Sequence, residues 1–223
     1  MAQDSPQCRL YLISPPAIDL PVFTQSLKNA FSGGDIASFQ LRLKGASDAE
    51  ILKAADALIP ICRDHSAAFI LNDRPDLAIQ CQADGVHLGQ DDGSVKHTRQ
   101  HVGDSMVIGL SCHDSRHLAM TGGEAGADYV AFGAFYPTTS KSPEALARYG
   151  TPDPDILTWW QEFMVLPCVA IGGINPQNCE TLVKAGADFI AVIQAVWNHT
   201  KGPAKAVEEF NAVLARHSRD DGN

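Results

Sequence analysis

Eight short runs of apolar and β-forming residues recur along the 223-residue chain, at positions 10–13, 37–41, 68–71, 85–88, 107–110, 129–132, 168–171 and 189–193. Most are apolar throughout instead of alternating with polar residues. A strand needs that pattern when both its faces are buried, which is the condition of a parallel sheet. Helical spacing fills most of the intervals. Eight β/α units in this length fit an α/β fold of one domain over residues 1–223, a closed (β/α)8 TIM barrel. An open, doubly wound sheet is the alternative. A dinucleotide-binding version is disfavoured, because Ser14-Pro15-Pro16 follows the first run where GxGxxG would stand.

The intervals carry their own start and stop signals. Residues 46–62 place Ile51, Leu52, Ala55, Leu58 and Ile59 on one helical face, and Ser47 with Glu50 forms a capping box. Pro60 is expected to end or kink this helix early. Asn175-Pro176 reads as an N-cap followed by proline at the first helical position, opening a helix over 175–185. The last helix, 203–215, carries Ala206, Val207, Phe210, Val213 and Leu214 on one stripe.

A weak internal repeat supports the same organisation. Ala125-Gly126-Ala127-Asp128-Tyr129-Val130-Ala131 is echoed by Ala185-Gly186-Ala187-Asp188-Phe189-Ile190-Ala191, with a shorter cousin in Ala83-Asp84-Gly85-Val86. Each longer copy reads as a helix C-cap glycine turning into a buried strand.

Composition excludes several function classes. Seventeen basic against 26 acidic residues give a formal net charge of −9, which disfavours nucleic-acid and anionic-membrane partners. The six cysteines form no CxxC pair and no zinc-finger spacing, so they read as buried thiols in a reducing compartment. The polar N-terminus lacks a signal-peptide pattern, and no apolar stretch is long enough to span a bilayer. A cytoplasmic protein is expected, and a homo-oligomer is compatible with the sequence.

Polar residues collect just after the apolar runs, on the face where parallel barrels build their sites. Gln40, Arg42 and Lys44 alternate after the second run, so they are expected on one side of an extended segment, and two cations there suit a diphosphate. A salt-bridged barrel plug is the bland reading. Asn72 and Asp73 follow the third run, and Asp91 and Asp92 the fourth. Asp73 with either Asp91 or Asp92 has the carboxylate chemistry of Mg2+, although such aspartates also cap turns. Ser111 and His113 follow the fifth run. Thr138, Ser140 and Lys141 lie on a proline-rich connection over 134–155 long enough for a binding loop. Gly172-Gly173 follows the seventh run, where backbone N–H groups suit a phosphate or simply a tight turn. His87, inside an apolar run, reads as a satisfied core histidine. His113 has no third member of a hydrolytic triad. Cys112, Trp159, Trp160 and Trp197 read as packing.

In order, the motifs Gln40-Leu41-Arg42-Leu43-Lys44, Leu71-Asn72-Asp73-Arg74, Ala83 through Asp92, Gly109-Leu110-Ser111-Cys112-His113, Pro137-Thr138-Thr139-Ser140-Lys141 and Ala170-Ile171-Gly172-Gly173-Ile174 resemble those of the thiamine phosphate synthase family, over about residues 10–197. That family is a (β/α)8 barrel joining 4-amino-5-hydroxymethyl-2-methylpyrimidine diphosphate to hydroxyethylthiazole phosphate, with release of pyrophosphate. The resemblance implies that Gln40, Arg42, Lys44, Asn72, Ser111 and Lys141 contact the pyrimidine diphosphate. It implies Asp73 and Asp92 as ligands of Mg2+, and Thr138, Ser140, Gly173, Ile193 and Gln194 for the thiazole phosphate. Arg42, Lys44 and Lys141 are the candidate catalytic cations. Three positions depart from the family: Ala134 stands for a proline, Ser140 for a threonine and Gln194 for a serine. Gln194 is the feature that favours a second reading, a non-synthase relative (a thiazole tautomerase-like enzyme or a ligand-binding regulatory barrel). The intact Gln-x-Arg-x-Lys and Asn-Asp patterns favour the synthase.

Overall fold

The computed structural model describes residues 8–90, 93–138 and 150–217. Strands and helices alternate as β1 (Arg9–Ile13), α1 (Leu20–Phe31), β2 (Ser38–Leu41), α2 (Asp48–Asp64), β3 (Ala68–Asn72), α3 (Pro75–Cys81), β4 (Gly85–Leu88), α4 (Val95–Val102) and β5 (Val107–His113). They continue as α5 (Arg116–Glu124), β6 (Tyr129–Phe132), α6 (Asp155–Phe163), β7 (Cys168–Ile171), α7 (Cys179–Lys184), β8 (Phe189–Val192), α8 (Gln194–Trp197) and α9 (Pro203–Leu214). The eight strands form a closed parallel barrel in sequence order, and β1 meets β8 with Tyr11 opposite Ala191. Closure settles the choice against the open sheet.

Two apolar layers follow from the strand alternation. Leu10, Leu12, Phe39, Leu41, Phe69, Leu71, Val86 and Leu88 face the helices and join the large outer core. Tyr11, Ile13, Ile70, Tyr129, Ala131, Val169 and Ala191 pack together inside the barrel. Both faces of the sheet are thus covered, which is why the runs are apolar throughout. Gly109 of β5 leaves the space that the Tyr129 ring fills, since a Cβ there would run into that ring.

The repeated sequence motif is a device at the bottom of the barrel. After α2, α3, α5 and α7 the chain passes through Ser66, Gln82, Gly126 and Gly186, all at positive φ. The next residue is always an alanine whose N–H returns to the helix, as in Ala127 N–H to Gly122 O and Ala187 N–H to Leu182 O, both 3.0 Å. These are Schellman closures, and glycine meets their left-handed residue at least steric cost. The aspartate that follows in three of them is reciprocal with the preceding strand. The Asp84, Asp128 and Asp188 carboxylates accept the N–H of Phe69, Ile108 and Cys168 at 2.7, 2.7 and 2.8 Å. Their own N–H groups donate back to the carbonyls of the same three residues. Pairs β3/β4, β5/β6 and β7/β8 are pinned this way.

Two sequence expectations change. Helix α2 runs through Pro60 to Asp64 instead of ending early. Pro60 is exposed, so the carbonyl it leaves without an N–H faces water, and the helix is closed beyond it by Ala67 N–H to Cys62 O at 2.9 Å. The Ser47/Glu50 capping box forms as expected. Helix α7 begins at Cys179, not at Pro176. The reason is Asn178, whose side chain accepts from Asn175 N–H at 2.8 Å and donates to Gly173 O at 3.1 Å, closing 173–178 into a turn. Asn175 still caps locally, accepting from Gln177 N–H at 2.9 Å. The stripe expected on α9 is buried at all five positions.

Replacing Asp188 by alanine strands the Cys168 N–H and the Gln161 amide that the carboxylate accepts. The expected loss is about 1–3 kcal/mol of unfolding free energy, read from urea denaturation. Asp188→Asn, which keeps an acceptor, loses less. Equal denaturation midpoints for all three proteins would remove the pinning role.

Candidate active site

The barrel interior carries a continuous polar chain from β3 to β5. Asp73 accepts from Asn72 Nδ2. Asn72 Oδ1 accepts from Gln40 Nε2 at 2.5 Å, and Gln40 Oε1 accepts from the Tyr11 hydroxyl at 3.0 Å. Tyr11 meets the Tyr129 hydroxyl at 2.9 Å, Tyr129 meets His87 Nδ1 at 2.9 Å, and His87 Nε2 meets Ser111 Oγ at 2.9 Å.

The direction of the bonds from Asp73 as far as His87 follows from one end. The Asp73 carboxylate only accepts, so Asn72 and then Gln40 present amide N–H groups toward it. Tyr11 spends its single proton on Gln40, so Tyr129 donates to Tyr11. Tyr129 then accepts from His87, so Nδ1 carries a proton, and Nε2 shares a hydrogen bond with Ser111 Oγ. Burial pushes the phenols of both Tyr11 and Tyr129 upward, so each keeps its one proton. His87 is therefore the satisfied core histidine expected of it. Its bond to Ser111 also makes it part of the site's floor. Tyr11 and Tyr129 were not among the expected site residues, because each sits in an otherwise apolar run.

The remaining candidates divide between two places. Arg42 lies half-buried just past β2, with its N–H donated to Ser14 Oγ at 2.8 Å. Lys44 is exposed and lines a separate pocket of ≈ 360 Å³ with Pro16, Ile18 and Lys53. Of the three alternating residues Gln40, Arg42 and Lys44, only Gln40 lies within β2. Strand β2 ends at Leu41, and beyond it the chain follows the first βα loop, with Lys44 N–H on Pro16 O at 2.9 Å.

Thr138, Gly173, Ile193 and Gln194 meet in a single pocket of ≈ 600 Å³, with Ala134, Ile174, Ala191 and Asn198. The pocket is built by close backbone approach. Gly172 packs on Ala134 and Gly173 on Tyr136 and Pro137, where any Cβ would collide. Phe135 N–H and Tyr136 N–H bond to Ile171 O and Gly172 O at 3.1 and 3.0 Å. Tyr136 Oη donates to Asn178 O at 3.0 Å, so Asn178 fastens this rim from both sides. Only its place two residues after the Gly-Gly-Ile-Asn-Pro stretch of 172–176 signals it in the sequence. Asp92, Ser140 and Lys141 lie outside the described residues. His113 ends β5 at a bulge, buried and at φ 55°, with its carbonyl taking the Gly133 N–H at 3.0 Å.

Comparison with known proteins follows these features. The chain matches the family described as thiamine monophosphate synthase over residues 10–196. A thiamine-phosphate synthase of Rhodospirillum centenum is 56% identical over 207 residues, covering 93% of this chain and 98% of the relative. The chain belongs to the thiamine-phosphate synthase family. Another family member, from Hyphomonas neptunium, is 48% identical over 218 residues and covers 96% of each chain. Among solved structures, thiamine phosphate pyrophosphorylase from Pyrococcus furiosus superposes with a TM-score of 0.82 at 29% identity, over 95% of this chain and 98% of that one. Family membership makes this chain a transferase of thiamine biosynthesis.

The buried phenols give a test of the chain of hydrogen bonds. An unfolded tyrosine ionises near pH 10, so above that pH the native protein holds more protons than the unfolded one, and stability falls as pH rises. Ultraviolet titration of the native protein should leave two of its four tyrosines un-ionised well above pH 10, and unfolding should release them. Ionisation of all four near pH 10 in the folded protein would contradict the buried chain.

Proposed function

We propose that this chain joins 4-amino-5-hydroxymethyl-2-methylpyrimidine diphosphate to hydroxyethylthiazole phosphate, with the interior polar chain and the pocket beside it dividing the two substrates. The observation that carries the reading is their adjacency at the C-terminal mouth of one barrel. A directed row of amide and hydroxyl groups ends at Ser111 and Asp73, and a second pocket holds Thr138, Gly173, Ile193 and Gln194. In this reading Gln40, Asn72 and Ser111 orient the pyrimidine diphosphate. Arg42, Lys44 and Lys141 are its cationic contacts. The thiazole phosphate takes the second pocket together with Ser140, and the whole chain, 1–223, acts as one barrel domain.

The residues account for the chemistry by charge and position. The bond between the pyrimidinylmethyl carbon and the diphosphate oxygen breaks with its electron pair leaving on pyrophosphate. The aminopyrimidine ring spreads the positive charge left behind. The thiazole nitrogen then forms the new C–N bond with its lone pair. Guanidinium and ammonium groups aimed at the leaving diphosphate lower the barrier because they stabilise charge that grows in the transition state. Holding the two substrates in neighbouring compartments supplies the rest. No covalent protein nucleophile takes part, and burial pushes the Cys112 thiol beside Ser111 up to about 12, which keeps it inert.

Mg2+ belongs to the same proposal. Among the described residues no three His, Cys, Asp or Glu side chains gather as a metal cage. Magnesium does not need one, since one or two carboxylates with substrate phosphates and water complete its shell. Asp73 fits that donor set: it lies one residue past β3 at φ 61°, half-buried, with one carboxylate oxygen on Asn72. Asp92 would be the second carboxylate. When bound there, the ion would neutralise diphosphate charge. A cytoplasmic location is part of the reading and is supported by six free cysteines. Among the described residues no helix is long and apolar enough to cross a membrane. The non-synthase alternative rested on Gln194. The 56% identity to a relative named as a synthase supports the synthase reading over it.

Incubation with both substrates and Mg2+ should yield thiamine phosphate and pyrophosphate in equal amounts. Ligand binding without product would shift the assignment to the non-synthase reading. Lys141→Ala should lower turnover about a hundredfold or more while thermal unfolding stays in place. Asp73→Asn should raise the Mg2+ concentration needed for half-maximal rate. An unchanged Mg2+ titration would remove Asp73 from the metal site.

A further inference from the structure

Just past the paired residues of β1 and β2, a side chain takes over the work of the backbone. Ser14 is buried, at 1% exposure, between β1 and the two prolines of the first βα loop. Its N–H donates to Gln40 O at 2.9 Å, as a parallel ladder requires. The next rung would be Arg42 N–H to the Ser14 carbonyl. Instead Arg42 N–H donates to Ser14 Oγ at 2.8 Å, and the hydroxyl proton goes to Pro15 O at 3.0 Å. One rung later Lys44 N–H reaches Pro16 O at 2.9 Å. The end of β1 is held from the neighbouring β8 side, where Trp197 Nε1 donates to Ile13 O at 2.7 Å and its ring packs on Phe23 with centroids 4.8 Å apart. The backbone N–H groups of Arg42 and Lys44 are therefore taken by one hydroxyl and one carbonyl of the first βα loop, outside the regular sheet.

We propose that Ser14 is a positioning residue for the reaction, setting the backbone of 42–44 so that its cations meet the diphosphate of the pyrimidine substrate. The proposal rests on the reading of Arg42 given above. Pro15 and Pro16 carry no N–H and have restricted φ, so the loop has few other ways to hold this segment. Without the hydroxyl, Arg42 N–H must turn to water or to the residue-14 carbonyl, and either choice shifts the segment against β1. The effect falls on binding of the diphosphate, not on the distant thiazole pocket.

The test compares Ser14→Ala, Ser14→Thr, Ser14→Cys and Arg42→Ala in steady-state kinetics with both substrates varied, alongside thermal unfolding. Ser14→Ala should raise KM for the pyrimidine diphosphate about tenfold and leave KM for the thiazole phosphate within about twofold. Ser14→Thr, which keeps the hydroxyl, should restore the wild-type value. Ser14→Cys, near in size but a weak acceptor, should fall between, and it carries the test if the alanine variant does not fold. A raised diphosphate KM in Arg42→Ala with none in Ser14→Ala would overturn the positioning role while leaving the site reading intact. An unchanged diphosphate KM in Arg42→Ala would overturn both. Both KM values rising together, with a lowered unfolding midpoint and no rescue by threonine, would reduce Ser14 to a structural cap and overturn the proposal.

Discussion

A single carboxylate sets the direction of five hydrogen bonds across the barrel interior. An apolar barrel could be filled with Val, Ile and Leu alone, and every buried hydroxyl or amide added to it costs free energy unless paired. Here Asp73, Asn72, Gln40, Tyr11, Tyr129, His87 and Ser111 pair in sequence. Because the carboxylate only accepts, no member from Asn72 to Tyr129 can reverse without leaving a buried proton facing a proton or a lone pair facing a lone pair. The arrangement is thereby held in one state. That is the useful property for a site whose proposed chemistry depends on where fixed dipoles and charges stand before the substrates arrive.

The opposite end of the barrel supplies the rigidity this requires. Three reciprocal aspartate pairs tie β3/β4, β5/β6 and β7/β8, and four Schellman closures deliver the helices to them. Arg99 adds to the second, bonding the Asp128 carboxylate and the carbonyls of Gly103, Met106 and Gly126. The division is physical. Bottom loops are short and close on themselves, whereas the top loops over 42–45, 134–138 and 172–178 are held by a few side chains, chiefly Ser14, Tyr136 and Asn178.

Much of this was legible in the sequence, and the exceptions share a cause. The eight apolar runs match the strands closely because burial on both faces leaves a local signature in each strand. The Ala-Gly-Ala-Asp repeat read correctly as a turn from helix into strand, but its aspartate's partner was invisible, because it lies one strand earlier and about 20 residues away. Pro60 misled because its cost depends on which way the ring faces, and it faces solvent. Asn178 displaced the start of α7 by satisfying Asn175 N–H and Gly173 O at once, a choice made by tertiary geometry over local propensity. Tyr11 and Tyr129 passed as apolar, since a hydroxyl inside a hydrophobic run signals a network only when its partners are known. Gln40 bonds Asn72 directly and is linked to Ser111 by way of those two tyrosines and His87.

The fate of Gln40, Arg42 and Lys44 shows how one motif can serve two mechanical states. Gln40 lies within β2, is 2% exposed, and is locked by bonds on both ends of its amide. Arg42 and Lys44 lie beyond the strand, half-buried and exposed respectively, where the backbone is carried by the first βα loop. An orienting amide gains from being immobile, because its value is directional. A cation gains from reach, because charge acts at a distance and a leaving diphosphate moves as its bond breaks. The end of β2 separates these needs within five residues. On a chain whose net charge is −9, local placement of this kind would let an anionic protein present cations to the anionic substrate proposed for it.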